Sequence, residues 1–232
     1  MPHSHTHPLT LTTHHKHTHT AQATAFLLDF LKNNREEEAD LQTRLLEMNL
    51  VSAPQVGHAI LGYEMFTHYD HQKIAEMCEK AGLWQRALEN YEEPRDIRRV
   101  MTSMNVQDVD QEFLVAFFAT LDVDTSLACL HDLMENNMHA NQQTVIAVAS
   151  KYSEQLSPQA LIALFEKFNS LEGLFYYLGS IVNFSQDQDV HYKYIEAAAK
   201  AGQFKEVERV CRESNFYDPE RTKNFLKVCS VW

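Results

Sequence analysis

The sequence contains little glycine and little proline, six of each among 232 residues. Together they make up about 5% of the chain, against about 12% in an average protein. The prolines also stand where helices are predicted to begin, at a position where a missing amide proton costs nothing. Strands joined by tight turns depend on both residue types, so we do not expect an all-β fold.

Long apolar runs and basic clusters are also lacking. No apolar run approaches the ~20 residues needed to span a bilayer, and none at the start resembles a signal segment. Asp and Glu number 32 against 20 Lys and Arg, for a formal charge of −12, and five basic residues never occur together. We therefore expect no nucleic-acid partner and no direct membrane insertion.

Cysteine is scarce and never paired. Cys78, Cys129, Cys211 and Cys229 stand singly in or beside apolar helical stripes, which indicates a reducing, cytoplasmic compartment. Glycine-rich phosphate loops, His-Glu-x-x-His, zinc-finger cysteine pairs and Gly-x-Ser-x-Gly elbows are all absent from the sequence. No catalytic, cofactor-binding or metal-binding residue is predicted, and we do not expect an enzyme.

Apolar residues at three-and-four spacing run through almost the whole chain. The stretch 170–226 reads as four short helices, with Asp187 and Asp218 as caps and Gly202 as a left-handed helix end. Upstream, about ten more helices are predicted, one of them capped by Ser52, another by Asp70, and one ending at Asn136-Asn137. Residues predicted to face inward include Phe26, Phe30, Leu45, Leu46, Val56, Ala59, Ile60, Ile74, Cys78, Leu130 and Phe204.

One helical hairpin recurs within the chain. Lys80-Ala81-Gly82 matches Lys200-Ala201-Gly202, and Trp84 matches Phe204. The glycines lie 202 − 82 = 120 residues apart, a plausible multiple of a helix-pair period of roughly 30 to 40 residues. Helices this short must bury their stripes on each other. The fold class predicted is all-α, an α-solenoid of short antiparallel hairpins resembling a tetratricopeptide superhelix.

Two histidine-containing stretches admit a metal-binding interpretation. Positions 1–20 hold seven of the thirteen histidines, but without apolar content to fix ligand geometry we predict a disordered His/Thr-rich tail. In the second stretch, His68 and His71 flank Asp70. These three side chains could bind a metal. We favour the alternative, in which Asp70 caps a helix and the histidines lie at the surface. Positions 21–232 are predicted to form the solenoid.

Four segments carry a resemblance to a known family. They are LQTRLLEMNL (41–50), MFTHYD (65–70), EGLFYYLGSIVNFSQD (172–187) and CRESNFYDPERTKNFLK (211–227). They resemble the clathrin heavy-chain family, in the ankle part of its leg. The likeness runs from about position 25 to 227 without an obvious gap.

The resemblance implies a zigzag solenoid of clathrin heavy-chain repeats with a mechanical role. In that family three heavy chains join at a hub, and their legs interdigitate into a lattice that coats vesicles in endocytosis and Golgi traffic. The implied partners are other heavy-chain legs, and the implied location is the cytoplasmic face of coated pits and vesicles. The family's propeller, light-chain site and hub have no counterpart here, so we expect a truncated segment. The alternative is a stand-alone solenoid adaptor that binds a peptide in its groove.

Overall fold

In the computed structural model, residues 9–228 are described, and every regular element among them is helical. Fourteen α-helices and three single 3₁₀ turns, at Glu36–Glu38, Val106–Asp108 and Phe118–Thr120, make up this part of the chain. The helices are α1 (Leu9–Phe30), α2 (Ala39–Ser52), α3 (Pro54–Gly62), α4 (His71–Lys80), α5 (Trp84–Asn90), α6 (Pro94–Ser103), α7 (Gln111–Phe117), α8 (Val123–Lys151), α9 (Ser153–Leu156), α10 (Pro158–Lys167), α11 (Leu171–Ile181), α12 (Gln188–Lys200), α13 (Phe204–Glu213) and α14 (Pro219–Val228). The predicted all-α class is confirmed.

The chain divides into two compact units, Met1–Val100 and Met101–Trp232. In the first, α2 packs on α1, α3 and α4, and α4 packs on α5. In the second, α8 packs on α7 and α11, α11 on α10 and α12, and α12 on α13 and α14. Consecutive helices are joined by links of a few residues and pack on each other, so each unit is a series of hairpins that bury their stripes on their neighbours.

Most of the predicted stripes are buried. Leu45, Leu46, Ile74, Cys78 and Leu130 are each completely inaccessible to solvent. A buried side chain of this size contributes about 1.5–3 kcal/mol relative to exposure. The core of each unit is therefore the set of seams between adjacent helices.

Three aromatic side chains predicted to face inward are exposed. The exposed fraction is 70% for Phe26, 51% for Phe30 and 51% for Phe204. Thr24 in α1 and Leu31 directly after the helix are buried instead, and the two phenylalanines stack on each other at 6.4 Å. Phe204 is the first residue of α13 and lies at a hairpin tip. These three predictions are wrong because helical periodicity does not show where a neighbouring helix ends.

The buried face of α3 also differs from the prediction. Gly57, Ile60 and Leu61 face inward, whereas Val56 and Ala59 are exposed. A Cβ atom at Gly57 would lie 2.8 Å from Leu50 Cδ2, so α2 and α3 approach where a side chain is missing. The prediction places apolar residues inward and gives glycine no weight. The predicted inward face of α3 is therefore rotated about the helix axis relative to the face that is buried.

Ser52 does not cap α3 as predicted. It is the last residue of α2, and its hydroxyl donates to the Met48 carbonyl at 2.6 Å, while Ala53 occupies the capping position without a side-chain bond. In Ser-Ala-Pro, the capping position could be occupied by the residue directly before the proline or by the serine before that. The chain uses the nearer residue, Ala53.

Positions 9–20, in the stretch predicted to be a disordered tail, belong to α1. No glycine or proline interrupts this stretch, so the helix that packs on α2 continues backwards through it, since elongation is far easier than nucleation. Positions 1–8 lie outside the described residues, as does Cys229. Within the described residues, no helix is both long and apolar enough to cross a bilayer.

The recurring hairpin turn is confirmed and has a third copy. Gly82 and Gly202 adopt φ of 72° and 71°, and in both turns the residue after the glycine donates its amide back to a carbonyl of the last helical turn at 2.8 Å. Asn169 adopts φ of 51° between α10 and α11, and Ser170 donates to the Phe165 carbonyl at 2.9 Å in the same pattern.

Candidate interaction surface

The polar cluster at 68–71 is built into the fold. Asp70 caps α4, its Oδ1 accepting an amide of the first turn at 3.0 Å, as predicted. Tyr69 donates its hydroxyl to Asn90 Oδ1 at 2.8 Å, and His71 Nδ1 lies 3.0 Å from the same oxygen. These side chains bind different protein groups and do not converge on a common point.

A second polar cluster, which is not predicted from the sequence, lies on α8. His131, Asp132 and Glu135 place three potential ligand atoms within 4.8 Å of one another, and His131 Nδ1 lies 3.7 Å from each carboxylate. The His-x-x-x-Glu spacing could have identified it. However, the Lys167 ammonium donates to His131 Nε2, which leaves the ring proton on Nδ1, facing the carboxylates. A cation between these groups would need the Nδ1 lone pair, which that proton occupies, and the Lys167 ammonium is already bound to the other ring nitrogen. The cluster is therefore satisfied as a protein network.

The buried cysteine of α4 is not a nucleophile. Burial raises the pKa of the Cys78 thiol to about 12, and its side chain is inaccessible to solvent. The thiolate is the reactive form of cysteine, so this thiol is inert at neutral pH. Cys211 is half-buried, and burial again raises its pKa.

Two of the segments that carry the family resemblance meet in the first unit. The loop at 65–70 is held against the start of α2 and the preceding turn by side chains that accept hydrogen bonds from its backbone amides. These bonds are Thr67 to Asn34 Oδ1 at 3.1 Å, His68 to Gln42 Oε1 at 3.1 Å, and Asp70 to Thr43 Oγ1 at 2.9 Å. Gln42 is completely buried, so its amide serves to fix the loop.

A tyrosine, a glutamate and an arginine link successive helices at one place in each unit. In the first, the Tyr91 hydroxyl donates to Glu79 Oε2 at 2.8 Å, and Arg99 donates to the same carboxylate and to the Tyr91 oxygen. Burial is the main cause that raises the pKa of Tyr91 to about 12. The cluster joins α4, the end of α5 and α6.

The second cluster joins α12 to α13. The Tyr194 hydroxyl donates to Glu206 Oε2 at 3.0 Å, and Arg209 Nε donates to that oxygen at 2.9 Å. Arg209 also donates to Asn183 Oδ1 at 3.1 Å, which adds the loop after α11. Within each cluster the glutamate and the arginine are paired with each other. This pairing suits a crosslink between helices and leaves no unpaired catalytic group in either cluster.

What remains for function is the exposed apolar surface. In the first unit it includes Phe26, Phe30, Val51 and Tyr63, and in the second Tyr176, Phe184, Phe204 and Phe216. Phe184, 88% exposed, borders a groove of about 560 Å³ between the end of α8 and the end of α11. The groove is lined mainly by neutral side chains, with Lys151 and Glu154 as its charged groups. Such surfaces fit contact with other macromolecules better than chemistry on a small substrate.

The chain matches the family model described as "Region in Clathrin and VPS" over residues 6–142 and 149–232. It is 61% identical to clathrin heavy chain 2 of Homo sapiens over 210 residues, which cover 90% of this chain and 13% of the relative. It is 59% identical to the clathrin heavy chain of Drosophila melanogaster and 50% identical to that of Dictyostelium discoideum, each over 90% of this chain and 12% of the relative. The chain thus spans about an eighth of the length of these relatives.

Proposed function

Because the chain belongs to the clathrin repeat family, we propose that it is a structural segment of a heavy-chain leg in a clathrin coat, without catalytic activity or a cofactor. The main support is that 50–61% identity to clathrin heavy chains extends over about nine tenths of a chain built of stacked hairpins. A series of hairpins that stack on their neighbours suits a mechanical element.

The proposed partners are other heavy-chain legs in a lattice. The exposed aromatic residues on both units supply apolar contact area, and the charge of −12 disfavours direct binding to anionic lipid. A light chain would bind through family regions outside this sequence. The location proposed is the cytoplasmic face of coated pits and vesicles, in endocytosis and vesicle transport.

Segment replacement tests the proposal. The matching segment of the Drosophila heavy chain is replaced by positions 21–228 of this chain, and receptor uptake is measured in cells lacking their own heavy chain. We expect uptake to be restored. A matched control carries an unrelated all-α repeat segment of equal length and should not restore it. Failure of a chimera that is expressed and folded would overturn the proposal.

A stand-alone adaptor remains the second candidate, favoured by the groove beside Phe184. Affinity capture from cytosol separates the two. An adaptor would recover one short peptide segment in several proteins and no clathrin subunits, whereas a leg segment would recover heavy chain.

A further inference from the structure

Ser157 lies in the link between α9 and α10, directly before Pro158. It is the only serine or threonine in the sequence that precedes a proline. The residue is exposed, in contrast to Ser153 and Ser170 nearby, which are 7% and 4% exposed. We propose that Ser157 is the substrate of a proline-directed serine/threonine kinase, and that its phosphorylation releases the contact between α10 and the start of α12.

The fold does not use the Ser157 hydroxyl as it uses other capping groups. Asp70, Asp122, Ser170 and Asp187 each accept an amide proton of the helix they precede. Ser157 precedes α10 without such a bond, and its hydroxyl donates to the exposed Gln159 Oε1 at 3.0 Å. The oxygen is therefore available for transfer without uncapping a helix.

The backbone around Ser157 favours local opening. Its φ of 68° is in the region that glycine favours and serine rarely adopts. Helix α9 before it is a single turn of four residues. Extension of this link into a kinase cleft relieves the unfavourable φ and disturbs little regular structure.

The transfer requires ATP as phosphoryl donor. The Ser157 oxygen attacks the γ-phosphorus, the bond to the bridging β–γ oxygen breaks, and ADP leaves, while a carboxylate of the kinase takes the hydroxyl proton. The product carries about two negative charges and only acceptor oxygens. A hydrogen-bond donor at Ser157 has then become an acceptor.

That exchange reaches α12 through Gln159. Its Nε2 donates to Asp187 Oδ2 at 2.5 Å, while Asp187 Oδ1 caps α12 by accepting the Asp189 amide at 2.8 Å. With a phosphate on Ser157, Gln159 Oε1 faces an anionic oxygen. Repulsion between the two oxygens turns the amide over so that Nε2 donates to the phosphate, and Oε1 then faces the Asp187 carboxylate. The contact with Asp187 is then lost, and the new charge lies directly before Pro158, which lines the groove that holds Glu154 and Lys151.

The first test uses the full chain with ATP, Mg²⁺ and a purified proline-directed kinase of the mitogen-activated class. Peptide mass spectrometry should place one phosphate on Ser157. Ser157→Gly, which accommodates the positive φ, should fold and take up none, and Pro158→Ala should also remain unmodified. An unmodified Ser157 in the folded wild-type chain overturns the site, as does a phosphate on Ser157 in the Pro158→Ala variant.

The second test follows hydrogen exchange at the start of α12. Loss of one such hydrogen bond should speed exchange of the Asp189 and Val190 amides about 3- to 10-fold in the phosphorylated chain. Unmodified Gln159→Ala should show the same increase, and Gln155→Ala, an exposed change on α9, should not. Equal exchange before and after phosphorylation contradicts the release. Neither test depends on the coat function, so their failure leaves that proposal intact.

Discussion

Gly82, Gly202 and Asn169 occupy the same left-handed position in three hairpin turns. At both glycines an added Cβ would meet no atom within 4 Å, so open space surrounds these positions and only the backbone conformation selects the residue. Asparagine is the side-chain-bearing residue that tolerates this region best. The two glycine turns are predicted from the sequence and the third is not, because the prediction depends on glycine and asparagine marks this conformation less clearly.

Opposite effects are expected from the same change at two glycines. Gly202→Ala should lower the free energy of unfolding by about 1 kcal/mol, because alanine is strained at positive φ. Gly179→Ala, inside α11, should raise it by about 0.5–1 kcal/mol, since the new methyl would lie an ordinary 3.4 Å from the Tyr194 ring. Urea unfolding measures both. A loss of stability at both positions would contradict the account of the turn.

Buried tyrosines make the fold sensitive to alkali. Tyr177 is completely buried and bonded to Ser153 Oγ at 2.8 Å, and burial raises its pKa to about 12 from an ordinary value of about 10. A raised pKa favours the neutral phenol in the folded chain. This stabilisation is complete below pH 10 and is lost as the pH rises through 12.

The loss attributable to Tyr177 should be about 1 kcal/mol at pH 11. Tyr177→Phe should therefore lose less stability between pH 9 and pH 11 than the wild type, by that amount, in urea unfolding. Tyr63→Phe, at a ring that is 79% exposed, is the control. The explanation fails if Tyr177→Phe and the wild type lose the same amount.

At the scale of elements, α8 is bent at Asn137, where φ is −156° and ψ is 86°. Asn137 Oδ1 accepts the Ala140 amide at 3.1 Å and so caps the second half of the helix. Asn141 Nδ2 donates to the Leu133 carbonyl at 2.8 Å across the bend, and Asn136 Nδ2 donates to the Thr102 carbonyl at 2.8 Å. Three asparagines thus fix the bend, and the predicted break at Asn136-Asn137 is confirmed.

Asn141→Ala should lower the free energy of unfolding by about 1–3 kcal/mol, because it leaves a buried carbonyl without a donor. Asn141 is 4% exposed, so water does not easily replace the lost amide. His139→Ala, an exposed change on the same half of α8, should stay within about 0.5 kcal/mol of the wild type. Denaturant midpoints for the two variants decide the matter, and equal midpoints would show that the bend does not depend on Asn141.

The elements show where sequence reasoning succeeds and where it stops. Caps at Asp70, Asp187 and Asp218 are local, since a carboxylate and the amides it accepts lie within three residues, and all three predictions are confirmed. Which face of α3 points inward is not determined by residues close in sequence. It depends on the close approach of α2 at Gly57, and nothing in the periodicity of α3 encodes that neighbour.

At the scale of the whole molecule, repeated short amphipathic helices predict an all-α array, and four unbroken segments carry the family resemblance. The structure explains part of that signal. The loop at 65–70, one of the four segments, has a fixed conformation because Asn34, Gln42 and Thr43 accept hydrogen bonds from its backbone amides. Pairings of side chains with a distant backbone cannot be derived from periodicity, so these contacts are not predicted from the sequence.

The central claim is that the chain is a structural segment of a clathrin leg, and electron microscopy of assembled coats tests it most directly. Purified Drosophila heavy chain carrying positions 21–228 of this chain in place of its own segment would be placed under assembly conditions. The account predicts closed polyhedral cages with the edge length of the parent protein. Folded chimeric chains that remain unassembled, while the parent forms cages beside them, would contradict it.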